Sequence, residues 1–153
     1  MLEKIFGHSH KDIKFNYDHI LDGIYIGNNQ CCHLGLDLML QKEGIFADIS
    51  LEELEIDQPN GVQTFLWIPT KDHCAPSTEQ ILLGVEMIDK LVKLNKKIYI
   101  HCKNGHGRAP TLLIAYLITK RSMNYQEALK LVKTARPAMH LHQTQIDFLQ
   151  EIK

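Results

Sequence analysis

Nowhere does this sequence gather the ~20 consecutive apolar residues of a membrane-spanning helix, so insertion into a bilayer is not expected. An excess of one charge is missing too: 17 basic side chains stand against 18 acidic ones, for a formal net charge of −1. Bulk attraction to nucleic acid or to an anionic membrane needs a basic excess, so neither is an expected partner. Cysteine is sparse. Four residues, two of them adjacent (Cys31 and Cys32), do not build a disulfide framework and suit a reducing compartment. His33, His73 and His101 each sit beside a cysteine, but no paired C-x-x-C or H-x-x-x-H spacing accompanies them, and no metal site is expected. Residues 1–6 include Glu3 and no small-residue cleavage site, which reads against a signal peptide and leaves the cytoplasm as the expected location. Internal repeats and low-complexity segments are absent. The 153 residues match one ordinary domain with a real core, residues 1–19 forming a polar arm or short helix laid upon it.

What is present alternates strand and helix signals. Residues 20–26 read as a first strand ending at Gly27-Asn28-Asn29, and residues 31–42 as a short helix stopped at Gly44. Residues 44–50 form a compact strand. Residues 51–57 are acidic and read as a solvated face, followed by an Asn60-Gly61 turn and a strand over 64–68. Ser77 and Gln80 make a capping box. Behind it Ile81, Val85, Ile88 and Val92 fall on one face of a helix running to about Asn95. A strand over 97–101 follows. Pro110 suits the first turn of the next helix, whose apolar run from Leu112 to Ile118 has almost no polar side and should be buried. An amphipathic helix over 124–136, halted by Pro137, and a terminal helix over 143–152 complete the chain. The expected fold class is α/β: a short, central, mostly parallel sheet flanked by helices.

The most informative segment joins the strand over 97–101 to the buried helix: His101, Cys102, Lys103, Asn104, Gly105, His106, Gly107 and Arg108. A strand feeding a tight glycine-bearing loop that opens a helix builds an anion cradle, with loop amides and the helix N-terminus pointing at the ligand. A cysteine placed in that cradle is stabilised as its thiolate by the same field that holds a phosphate.

These residues resemble the protein tyrosine phosphatase superfamily, whose signature is H-C-x-x-G-x-x-R, and most closely its dual-specificity branch. The resemblance implies that Cys102 is the nucleophile and that Arg108 clamps two phosphoryl oxygens. It also implies that Lys103, Asn104, Gly105, His106 and Gly107 bind substrate through the loop, and that His101 supports the cysteine by hydrogen bonding. The family places a general-acid aspartate on a loop upstream of the cysteine. Asp72 lies thirty positions before Cys102, between Pro69 and Pro76, and is the candidate; Asp48 and Asp89 fit less well. No metal or cofactor is implied.

The expected substrates are phosphotyrosine and phosphoserine or phosphothreonine proteins, or a small phosphate ester. Lys103 resembles the loop opening of inositol-lipid phosphatases, although His106 stands where a second lysine would favour such substrates. The Arg108-Ala109-Pro110 step resembles glucan phosphatases. A phosphate-binding pseudo-enzyme or a sulfur-transfer protein are the readings from other classes, and the joint presence of Cys102, Arg108 and Asp72 argues against both. The family usually carries a hydroxyl directly after the arginine, where Ala109 stands here. Cys74 is expected as a buried apolar cysteine, a reversible disulfide with Cys102 being the alternative.

Overall fold

The computed structural model describes residues 14–33 and 35–152, so most of the expected N-terminal arm lies outside the described residues. Its final part is not an arm. Tyr17–Leu21 is strand β1, paired antiparallel with β2 (Ile24–Gly27). The single strand expected over 20–26 is broken because Asp22 and Gly23 adopt φ of +47° and +77°, the positive values of a two-residue hairpin turn.

The helix expected over 31–42 also starts late. A single 3₁₀ turn spans Asn29–Cys31, and α1 covers only Leu38–Glu43, capped by the Asp37 side chain and closed by Gly44 at φ +76°. Between them Cys31, Cys32 and Leu36 turn inward with Tyr25, Leu40, Ile45 and Tyr99 as a small second core.

Strands β3 (Ile45–Ser50), β4 (Thr64–Trp67) and β5 (Lys97–His101) complete a five-stranded sheet in the order β1-β2-β5-β3-β4. Every pairing except β1 with β2 is parallel, and β5 is central, flanked by β2 and β3. Its apolar run Ile98-Tyr99-Ile100 is fully buried, as a strand covered on both faces requires.

Helix α2 (Thr78–Lys93) begins with the Ser77–Gln80 capping box, which stabilises it by about 1 kcal/mol. Ile81, Val85, Ile88 and Leu91 form its buried face. Gly84 lies on that face: a Cβ there would come within 2.7 Å of Leu112, so its absence lets α2 close on α3. Helix α3 (Arg108–Arg121) is buried from Arg108 through Leu117, the central helix that its sequence announced. Helices α4 (Tyr125–Ala135) and α5 (Gln143–Glu151) pack beside it. Among the described residues no helix is long and apolar enough to cross a membrane.

The acidic segment 51–57 departs from expectation. Leu54 and Ile56 are exposed, but Leu51, Glu52 and Asp57 are buried. Glu52 and Asp57 are therefore structural partners of the buried Arg108 and His101 side chains, and only the middle of the segment is a solvated face.

Candidate active site

The loop after β5 sits where ligands bind in parallel sheets, beyond the carboxyl ends of the strands. Its shape follows from what holds its carbonyls. The oxygen of Lys103 accepts from the Asn29 amide at 3.1 Å, and that of His106 from the His140 amide at 2.9 Å. Arg136, buried at the end of α4, takes the next two: Nη2 donates to the Asn104 oxygen at 3.0 Å and Nε to the Gly105 oxygen at 2.7 Å. The Gly107 oxygen accepts from the Thr111 amide and hydroxyl at 2.9 and 2.8 Å. Five successive carbonyls are thus turned outward. Among the described residues, none of the N–H groups of residues 103–107 donates to another protein group, which leaves them for an anion. Gly105 is at φ +68°, and a Cβ there would lie 2.4 Å from the Gly27 oxygen, so only glycine fits.

Arg136 is itself anchored from the far side. Its Nη1 donates to Asp18 at 2.7 Å and its Nη2 to Asn16 Oδ1 at 2.9 Å. The cradle is therefore braced through one guanidinium to the hairpin strand β1.

Cys102 is 3% exposed at the base of a cavity of about 80 Å³. Arg108, equally buried, has its Nη1 fixed by the carbonyls of Leu51 (3.2 Å) and Thr70 (2.9 Å), with Glu52 at 3.8 Å. The Nε and Nη2 edge is left for a ligand, and Asp72 Oδ1 lies 3.4 Å from Nε. Asp72 stands in the loop between β4 and α2, held over the cavity from several sides. Its amide donates to Glu53 at 3.4 Å. Further along the loop, the carbonyls of His73 and Cys74 accept from Thr144 Oγ1 (2.5 Å) and Gln145 Nε2 (3.1 Å). The structure thus brings Cys102, Arg108 and Asp72 to one cavity, lined also by Lys103, Asn104, His106 and Gly107. Asp48 and Asp89 lie elsewhere, the first buried against His101 and the second paired with Lys93. Cys74 is half-buried and free.

His101 does not do what was expected. Its ring makes no hydrogen bond to Cys102: among the described residues Nδ1 has no partner, and Nε2 points away, 3.2 Å from both Asp48 Oδ1 and Asp57 Oδ2. Burial alone would lower its pKa, but the Asp48 carboxylate outweighs that and raises it well above the ordinary imidazole range. His106 moves the other way. Burial, then Arg136, push its pKa down, so the imidazole that stands in place of a second lysine gains its charge only at lower pH. Its ring begins a row of imidazoles along the rim: His106 to His140 (5.1 Å), His140 to His142 (5.7 Å), and His142 stacked on His73 (3.9 Å).

The residues that hold the site were not singled out from sequence: Arg136, Glu52, Asn29 and Gln145. Arg136 was legible only as the last residue before a helix-stopping proline. The hint for Glu52 was its place just after a strand that abuts the catalytic loop.

Fold and loop together have the form of a cysteine-based phosphatase catalytic domain. The family model for the dual specificity phosphatase catalytic domain matches residues 24–153, and the chain belongs to that family. It is 37% identical over 119 residues to phosphatidylglycerophosphate phosphatase PTPMT2 of Arabidopsis thaliana, covering 73% of this chain and 52% of that protein. With human dual specificity protein phosphatase 4 it shares 30% identity over 121 residues, covering 76% of this chain and 29% of that protein. The chain thus spans about half the length of the first relative and under a third of the second. Among solved structures, Tk-PTP in a mutant form superposes with a TM-score of 0.74 at 28% identity, covering 90% of this chain and 93% of that one. PTPMT1 in complex with PI(5)P gives 0.73 at 20% identity, covering 88% and 92%, a likeness of fold.

Proposed function

We propose that this chain hydrolyses phosphate monoesters through a cysteinyl-phosphate intermediate. The observation that carries this reading is the cradle itself: five carbonyls turned away around a buried Cys102, with Arg108 and Asp72 on the same cavity. In the first step the Cys102 thiolate attacks phosphorus in line. The S–P bond forms as the ester P–O bond breaks, and Asp72 gives its proton to the leaving oxygen. The phosphoryl oxygens take the Nε and Nη2 edge of Arg108 and the loop amides, displacing Asp72 from the guanidinium. In the second step Asp72, now a carboxylate, accepts a proton from water as the water oxygen attacks phosphorus. The S–P bond breaks, and inorganic phosphate leaves the regenerated thiolate.

Asp72→Asn removes the proton donor and keeps the loop contacts. Turnover of an alkyl phosphate is expected to fall about 100-fold, and that of an aryl phosphate with a good leaving group much less. Equal losses on both would assign the acid elsewhere.

Ala109 bears on the second step. It is fully buried, and the nearby Thr111 hydroxyl is committed to the Gly107 carbonyl at 2.8 Å, so it does not substitute for the missing hydroxyl. Ala109→Ser is expected to speed breakdown of the cysteinyl-phosphate about tenfold, the effect of one hydrogen bond to a departing thiolate. Rapid-mixing kinetics should show a smaller burst and faster steady state; an unchanged burst and turnover would refute the assignment.

For the substrate, the polarity of the cleft favours a phosphorylated lipid headgroup. Apart from Cys102 its lining side chains are polar, with Lys103 and four imidazoles among them, and among the described residues no aliphatic wall lines it. The similarity to a phosphatidylglycerophosphate phosphatase supports this reading, and that to a dual specificity protein phosphatase supports phosphoprotein as the second. Phosphate release from vesicles bearing phosphatidylglycerophosphate is compared with release from phosphotyrosyl and phosphothreonyl peptides. A kcat/KM about tenfold or more in favour of the lipid is expected; faster turnover of a peptide reverses the order.

A further inference from the structure

Outside the catalytic cavity, three segments distant in sequence converge on one buried point. Cys31 and Cys32 end the 3₁₀ turn, Asp48 lies in β3 and His101 ends β5; all four are at most 1% exposed. One ligand atom from each lies within 4.8 Å of the others. Cys32 Sγ is 3.6 Å from Asp48 Oδ2 and 3.8 Å from His101 Nε2, and His101 Nε2 is 3.2 Å from Asp48 Oδ1. Zinc–sulfur bonds of about 2.3 Å and zinc–nitrogen or zinc–oxygen bonds of about 2.0–2.2 Å set neighbouring tetrahedral ligands roughly 3.3–3.8 Å apart. The three separations among Cys32, Asp48 and His101 are close to the edges of such a tetrahedron, and the Cys31 sulfur lies within 4.8 Å of the other three ligand atoms.

The charges point the same way. A single Nε2 faces two carboxylate oxygens at 3.2 Å and a sulfur, while one N–H can satisfy only one acceptor. Asp48 Oδ1 and Asp57 Oδ2 are buried without a hydrogen-bond partner among the described residues. Two buried carboxylates and two thiols thus crowd around a single imidazole nitrogen, which cannot satisfy them all, and such under-satisfied polar groups are costly in the interior. Two sulfurs, an imidazole and a carboxylate are the donor set of a borderline-soft divalent ion, unlike the all-oxygen set of magnesium or calcium.

We propose that Cys31, Cys32, Asp48 and His101 form a tetrahedral binding site for zinc or a zinc-like divalent cation. Binding requires both thiols as thiolates and a bare His101 Nε2, so the two thiol protons and the Nε2 proton pass to solvent, with no change of oxidation state. The ion ties the end of β5, immediately before Cys102, to the 3₁₀ turn whose Asn29 amide holds the Lys103 carbonyl. Both approaches to the phosphate loop are then fixed by one structural ion that takes no part in the reaction.

The test uses the full chain carrying Cys74→Ser and Cys102→Ser, which leaves Cys31 and Cys32 as its only thiols. The protein is produced in cobalt-supplemented medium, and its metal content and absorption spectrum are measured. The expected result is about one cobalt per chain with thiolate-to-cobalt charge-transfer bands and the intense visible bands of tetrahedral cobalt. Protein with native circular dichroism but no charge-transfer band overturns the proposal, whether it carries no cobalt or holds it through the rim histidines. Elemental analysis of the unsubstituted chain should then find about one zinc per chain, and zinc far below stoichiometric in folded protein overturns it equally.

Discussion

Cys102→Ser is expected to lower turnover by on the order of 10⁴-fold or more while leaving phosphate binding nearly intact. The serine hydroxyl is not ionised near neutral pH, and Asp72, which must hold its proton for the leaving oxygen in the first step, is not free to draw off the hydroxyl proton. Binding does not depend on the sulfur. It rests on the Arg108 edge and on loop amides whose carbonyls are held from outside by Asn29, Arg136, His140 and Thr111. Calorimetric titration with inorganic phosphate should give a Kd within a few-fold of the parent chain, set beside steady-state rates on an aryl phosphate. Substantial residual turnover would move the nucleophile to another side chain.

Arg108→Lys should cost about 10³-fold in kcat/KM although the charge is conserved. The guanidinium uses Nη1 for the Leu51 and Thr70 carbonyls and so presents Nε and Nη2 as a fixed, parallel pair of donors. A lysine ammonium is a single point: satisfying those carbonyls takes it away from the phosphoryl group, and reaching the phosphoryl group leaves the carbonyls unpaired. The loss should fall on kcat as well as on KM, because bidentate contacts tighten as the phosphoryl group flattens toward the transition state. A change confined to KM would make Arg108 a ground-state anchor only. Thermal melting of the variant separates this effect from unfolding, since Glu52 and Asp72 keep a cationic neighbour.

Much of this was legible where the signal is local. The apolar run before Cys102, the Ser77 capping box and Pro110 each act over a few residues, and the strand and helices they mark lie where expected. The hairpin was misread because Asp22-Gly23 sits inside a run that otherwise looks continuous, although the pair is itself a turn signal. Residues 51–57 were misread for a different reason. A cluster of carboxylates reads as a wet surface unless their buried partners, Arg108 and His101, are known to stand opposite. Cys31 and Cys32 gave no spacing motif because their neighbours in space come from β3 and β5. Arg136 is the extreme case, since it is joined to Asp18 across 118 positions.

That brace bears on where the chain can be trimmed. The recognisable family segment starts at residue 24, yet the oxygens that neutralise and orient Arg136 belong to Asn16 and Asp18. A fragment trimmed to the recognisable boundary would retain every signature residue, from Asp72 to Arg108, and lose the counterweight that keeps the loop carbonyls of Asn104 and Gly105 pulled back. Motif and machine have different edges here, and the second reaches further toward the N-terminus than the first.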